Sequence, residues 1–221
     1  MPTFGIQGEG PPQPFMETRG VMVFFRAPRK GTVKTRLAAK VGPEAALAIH
    51  QELVQLTLAR LNSISCVELK ITPDDALADV APMARTGWTL SPQGGGDLGD
   101  RLERGFESAL SGHPGRWIAV GTDCPDITAK DIEAAWDRLA NADVVLGPAL
   151  DGGYWLIGLR APHPELFRGI PWGGPDVFAS TLQRIRAAGL TVAELRRLGD
   201  VDTHADWCEW RARIEAKPHQ G

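Results

Sequence analysis

The sequence predicts an α/β fold: one domain with a mostly parallel central sheet covered by helices on both faces. Three observations carry this. Short apolar runs such as Val21–Phe25, Trp117–Val120 and Val144–Leu146 have the continuous hydrophobicity of strands buried on both faces. Longer segments with helical spacing lie between them. Glycine and charged residues gather just after the runs, where open α/β sheets bind ligands.

In chain order, Met1–Gly20 is rich in Gly and Pro and reads as a flexible leader, leaving residues 21–215 as the domain. Val21–Phe25 is the first strand, and Ala27–Gly31 is a loop because it holds Pro28 and Gly31. A helix starts near Val33 or Lys34 and stops before Gly42-Pro43. Pro43 suits the first turn of the next helix, which runs to about Leu61 with Leu47, Leu53, Val54 and Leu58 on its apolar stripe. Cys66–Ile71 and Trp88–Leu90 are strands, and Asp97 caps a helix over Leu98–Leu110. The strand Trp117–Val120 precedes a helix over Ala129–Leu139, and Val144–Leu146 and Tyr154–Leu159 are two further strands. A helix over Pro175–Ala188, a strand over Thr191–Leu195 and a helix over Thr203–Ile214 complete the chain.

Composition bounds the chemistry. The chain has 221 residues with a net charge of −3, so nothing draws it generally toward nucleic acid or an anionic membrane. No apolar run reaches the ~20 residues of a membrane span. Cys66, Cys124 and Cys208 are odd in number and widely spaced, which fits neither a disulfide framework nor a zinc site and points to a reducing cytoplasm.

Four segments carry candidate chemistry. Pro28–Arg36 places Arg29, Lys30, Lys34 and Arg36 around Gly31 after the first strand; it suits phosphate, though a solvated basic turn has the same composition. Gly121-Thr122-Asp123-Cys124-Pro125-Asp126 sets Asp123 at a strand end as a ligand for a hard cation such as Mg²⁺ or Mn²⁺. The competing role for Asp123 is that of a turn residue. Cys124 has no histidine near it in sequence and is expected to be a spectator thiol. In Asp151-Gly152-Gly153-Tyr154, Asp151 orients a substrate or serves as a base, or the segment is an ordinary hairpin turn. Tyr154 and Trp155 should point to opposite faces of their strand. In Asp200-Val201-Asp202-Thr203, Asp202 or Asp200 is the second metal carboxylate, while Thr203 and Asp206 form a capping box. Gly96 and Asp97 either close over the nucleotide or form a loop and cap. Trp172 either walls the acceptor or belongs to the core.

The ordered set Phe25-Arg26-Ala27-Pro28-x-x-Gly31-x-Val33-Lys34-Thr35-Arg36-Leu37, Gly96-Asp97-Leu98-Gly99-x-Arg101, Gly121-Thr122-Asp123-x-Pro125, Asp151-Gly152-Gly153-Tyr154 and Asp200-Val201-Asp202-Thr203 resembles the bacterial radical-SAM/selenodomain-associated transferases, also described as arsenosugar-biosynthesis glycosyltransferases. The resemblance spans about residues 21–210. It implies a three-layer nucleotide-diphospho-sugar transferase fold, the A-type glycosyltransferase architecture. More distantly, the chain resembles molybdenum-cofactor and phospholactate guanylyltransferases.

The resemblance implies Lys34 and Arg36 at the nucleotide phosphates, and Asp123 and Asp202 at the metal; the loop reading adds Ala27, Pro28, Gly31, Gly96 and Asp97 around the nucleotide. It also implies Asp151, Gly152, Gly153 and Tyr154 at the substrate; the residue reading adds Trp172 at the acceptor and expects Asp151, Lys34 and Asp123 to take part in catalysis. The expected activity is metal-dependent glycosyl transfer from a nucleotide-sugar donor to a small-molecule acceptor. Nucleotidyl transfer to a small phosphorylated substrate is the first alternative, and a catalytically idle nucleotide-binding protein the second.

Overall fold

The structure, a computed structural model, describes residues 18–112 and 115–216. Most of the expected leader, Met1–Glu17, lies outside the described residues; Thr18–Gly20 already belong to the first strand. The strands are β1 (Thr18–Arg26), β2 (Val67–Thr72), β3 (Thr89–Pro92), β4 (Gly115–Val120), β5 (Val144–Pro148), β6 (Tyr154–Leu159) and β7 (Val192–Glu194). The helices are α1 (Thr35–Val41), α2 (Pro43–Arg60), α3 (Leu77–Val80), α4 (Leu98–Leu110), α5 (Ala129–Arg138), α6 (Val177–Ala187) and α7 (His204–Glu215).

The strands form one seven-stranded sheet in the order β3-β2-β1-β4-β6-β5-β7. Only β6 runs antiparallel, to both β4 and β5. β1 starts three residues earlier than its apolar run suggests because Thr18–Gly20 pair with Gly115–Trp117. β3 extends to Pro92, which pairs with Ile71 at the sheet's edge, where proline is tolerated.

The alternation of β1 builds two cores. Val21, Val23 and Phe25 face α2 and α5 through Val54, Leu58, Ile132 and Trp136. Met22 and Phe24 face α4 through Leu102, Phe106 and Leu110. That is the three-layer arrangement expected of successive residues on a pleated sheet. A smaller cluster of Leu53, Val201 and Trp210 joins α7 to α2.

The helices α4, α5 and α7 each start on a capping box: Asp97 with Asp100, Thr128 with Asp131, and Thr203 with Asp206. Asp131 does more than cap. Both of its oxygens accept from Arg196, at 2.7 Å each, while Arg196 also donates to the Asp126 carbonyl at 2.8 Å. Burial alone would raise the Asp131 pKa, but the bonds from Arg196 and Thr128 outweigh it and hold the carboxyl below its ordinary value. A depressed carboxyl stabilises the fold above its unfolded pKa, and that contribution disappears as pH falls through the folded pKa. Arg196→Met is therefore expected to cost about 1–2 kcal/mol at pH 7, a bidentate pair discounted for the exposed half of the guanidinium. In urea titrations, the gap from wild type should close as the pH drops below about 4. A gap that persists in acid would show that Arg196 acts through packing instead.

Candidate active site

The loops at the carboxyl ends of β1 and β4, together with the segment before α7, meet at one rim of the sheet. After β1, the backbone turns at Gly31 (φ 78°) and again at Lys34, whose φ of 47° is left-handed although it bears a side chain. That turn sends Lys34 inward, and its ammonium carries three bonds. It donates to the Val201 carbonyl at 2.6 Å, and it pairs with Asp123 Oδ1 at 2.6 Å and Asp202 Oδ1 at 2.9 Å. The Lys34 side chain is 6% exposed, whereas Asp123 and Asp202 are 49% and 43% exposed. Burial would lower the Lys34 pKa, but the two carboxylates more than offset it and the net shift is upward. The Val201 N–H donates to the Asp123 carbonyl at 2.8 Å, which ties the two acidic segments together.

The three residues named from sequence as cation and acids thus converge, the two acids lying 89 and 168 positions beyond Lys34 along the chain. Two half-exposed carboxylates that already share one cation fit a hard divalent ion, which takes one or two carboxylates and completes its shell with phosphate and water. Among the described residues, no three Asp, Glu, His or Cys side chains form a ready-made metal cage.

Beside this cluster is a cavity of about 370 Å³, lined by Lys34, Arg26, Arg36, His50, Thr122 and Gln93 among others. The basic loop contributes less than its composition suggests. Arg29 pairs with Asp75 and Asp79, and Lys30 with Glu44, so neither lines the cavity. Ala27 is buried and donates to the Thr72 carbonyl at 2.8 Å. Pro28, Gly31, Gly96 and Asp97 are likewise absent from the lining, and the Asp97 side chain is engaged in the α4 cap.

Sequence reasoning passed over His50 and Gln93. His50 sits buried on α2 and donates from Nε2 to the Arg26 carbonyl at 2.8 Å, with its pKa lowered chiefly by burial. Gln93 donates to the Phe25 and Lys70 carbonyls and accepts from Arg101 at 3.1 Å, which stitches β1, β2 and α4 at the cavity floor. A polar residue inside an apolar stripe was the only available signal for His50.

A second cavity, of about 240 Å³, adjoins the first at Phe24, Leu98 and Asp123. Tyr154 and Trp155 both border it, although they belong to opposite cores, because it wraps the start of β6. Trp172 borders neither cavity. It packs edge-on against Tyr154, with ring centroids 6.3 Å apart, and lies half-buried against the core.

Cys124 donates its thiol hydrogen to Asp200. Burial, reinforced by Asp200, pushes the Cys124 thiol well above its ordinary value, so it stays protonated and is no nucleophile. Burial also raises Asp200 to about 6, the nearby Asp151, Asp123 and Asp202 adding to the shift while the thiol opposes it.

Asp151 bends back on itself, its Oδ1 accepting from the Gly153 N–H at 2.9 Å, and lines a groove with Arg36, Asp200 and Asp202. Gly152 makes this turn possible. Its φ is 92°, and a Cβ there would lie 1.9 Å from the Pro175 carbonyl oxygen. Gly152→Ala is expected to destabilise the fold by about 2 kcal/mol or more, since it combines left-handed strain with a backbone clash. Chemical denaturation checks this; a loss below half that size would mean the loop before α6 yields freely.

Comparison with known proteins finds relatives across most of the chain. A solved structure from Desulfovibrio desulfuricans G20, provisionally described as a nucleotide-diphospho-sugar transferase, matches with a TM-score of 0.83 and 31% identity, covering 93% of this chain and 92% of that one. A phosphoenolpyruvate guanylyltransferase of Sphaerobacter thermophilus is 32% identical over 184 residues, 80% of this chain and 86% of the relative. One of Chloroflexus aggregans, with the same name, is 27% identical over 170 residues, 73% and 83% of the two chains. The fold is that of the nucleotide-diphospho-sugar transferases. Residues 55–174 match the family described as uncharacterized proteins conserved in bacteria (DUF2064), more than half of the chain, and the chain belongs to that family.

Proposed function

We propose that this protein is a metal-dependent nucleotidyltransferase, with guanylyl transfer the first donor chemistry to examine. The observation that carries the reading is the convergence of Lys34, Asp123 and Asp202 beside a cavity bordered by Arg26 and Arg36. In this reading, a phosphate oxygen of a small acceptor attacks the α-phosphorus of a nucleoside triphosphate. A new P–O–P linkage forms, the α–β bond breaks and pyrophosphate leaves. The attacking oxygen is already anionic at neutral pH, so no strong base is needed. Positioning and charge neutralisation supply the acceleration.

Asp123 and Asp202 would hold Mg²⁺ or Mn²⁺, which would supply Lewis-acid stabilisation of the phosphates. Lys34 and Arg36 neutralise the triphosphate, and Arg26 flanks it. Ala27, Pro28, Gly31, Gly96 and Asp97 shape the loops around the nucleotide rather than line its cavity. Tyr154 borders the acceptor, and Asp151, Gly152 and Gly153 form the turn that leads into its strand. The free thiols Cys66, Cys124 and Cys208 suit a reducing cytoplasm. No helix of the described residues is long and apolar enough to cross a membrane.

The two curated relatives, both guanylyltransferases by name, favour this over the glycosyl transfer first expected. Glycosyl transfer of the arsenosugar type stays as a second reading because the 31%-identical structure is described as a nucleotide-diphospho-sugar transferase. The product separates the two. Incubation of GTP, CTP, UTP and their diphospho-sugars with Mn²⁺ and a panel of phosphomonoesters and alcohols should release pyrophosphate. Release of nucleoside diphosphate would support the second reading. If no nucleotide raises the melting temperature, both fall, since a ligand at 100 times its Kd adds ~2.7 kcal/mol.

A further inference from the structure

The two cavities that meet at Asp123 differ in chemistry. The first is bordered by Lys34, Arg26 and Arg36. The second is walled by Phe24, Leu98, Leu102, Tyr154 and Trp155, and its ionisable groups besides Tyr154 are Asp123, Cys124 and Asp200. No lysine, arginine or histidine lines it. Lys34, which pairs with Asp123 at the wall the two cavities share, lines the first cavity and not the second.

We infer that the second cavity receives the body of the acceptor, and that this body is apolar and uncharged: the acceptor is the phosphomonoester of a small apolar alcohol. The inference rests on the nucleotidyltransferase reading and specifies its second substrate. The shared wall at Asp123 lets the phosphate end reach the cationic side while the rest of the molecule stays among rings and aliphatic side chains. The ion proposed at Asp123 is committed to the phosphates, so a carboxylate on that body would leave water beside Asp200 with no cationic side chain in the lining, an arrangement that opposes binding. The relatives' named substrate, phosphoenolpyruvate, carries such a carboxylate next to its phosphate. Acceptor choice in this chain therefore departs from theirs even where the nucleotide half is shared.

Calorimetry tests this with phenyl phosphate and phosphoenolpyruvate as probes. The full chain is first titrated with α,β-methylene-GTP in Mg²⁺, then the saturated protein with each probe. Phenyl phosphate is expected to bind at least about tenfold more tightly than phosphoenolpyruvate. Equal or tighter binding of phosphoenolpyruvate overturns the inference, as does nucleotide binding followed by no heat from either probe. Absence of nucleotide heat overturns the nucleotidyltransferase reading itself, and the inference with it.

A variant locates the body. Leu98 is 43% exposed at the lip shared by both cavities, so Leu98→Arg adds the missing cation without disturbing the core. It should improve phosphoenolpyruvate affinity by about tenfold and weaken phenyl phosphate. If both affinities are unchanged, the acceptor body sits elsewhere.

Discussion

Asp123→Asn is expected to lower nucleotidyl transfer by about 10²–10³-fold, the loss typical of removing one electrostatic stabiliser from a transition state. The substitution preserves shape. The backbone at Asp123 is fixed by its carbonyl, which accepts from the Val201 N–H at 2.8 Å, so the amide should occupy the carboxylate's place. What is lost is one of two negative charges available to a divalent cation, and the Mn²⁺ concentration for half-maximal rate should rise accordingly. Asp126, three residues on, is the control. It accepts from the Trp210 indole at 3.3 Å and pairs with Arg213, so it ties the β4–α5 loop to α7. Asp126→Asn should lower stability and leave metal dependence unchanged. If Asp123→Asn retains the wild-type rate and metal response, Asp123 is not part of the site.

Lys34→Met should affect both activity and fold. Methionine fills much of the same volume but leaves the Val201 carbonyl without its donor and the Asp123 and Asp202 carboxylates facing each other without a cation. Removing one member of a fully buried pair costs 3–5 kcal/mol, and the half-exposure of both acids brings the expected loss for the metal-free protein to about 2 kcal/mol. Transfer should fall about 10²-fold or more, since triphosphate charge goes unanswered. The distinguishing signature is thermal. Mg²⁺ should raise the melting temperature of the variant more than that of wild type, because the ion supplies the positive charge that the ammonium otherwise provides. An equal Mg²⁺ response in both would show that the lysine and the ion do not serve the same carboxylates.

The site was legible where chemistry coincided with a strand end. Asp123 follows β4 directly, and Lys34 follows β1 by a short loop, so the α/β reading alone set them on one rim. Distant pairing was not legible. Arg29 and Lys30 look like phosphate ligands until Asp75, Asp79 and Glu44 are seen to claim them. Nor did the pattern on α2 reveal His50 and Thr57, which lie buried among its apolar residues, because a helical stripe marks the facing side without saying what backbone it meets. Trp172 is the converse case: its surroundings left acceptor wall and core equally open, and only its edge-on packing against Tyr154 shows which neighbours it has. The choice between transfer chemistries was unreadable for a different reason. Both use the same acids and cations, and the difference lies in the donor bond that breaks.

The sheet's outermost strands carry one more consequence. β3 has four residues and ends in proline; β7 has only three. Each therefore offers another polypeptide very little unsatisfied main chain, and strand-by-strand recruitment of neighbours, the usual path to fibrils, finds almost no template on either flank. Contacts between copies, where they form, therefore depend on side-chain surfaces rather than on extending the sheet.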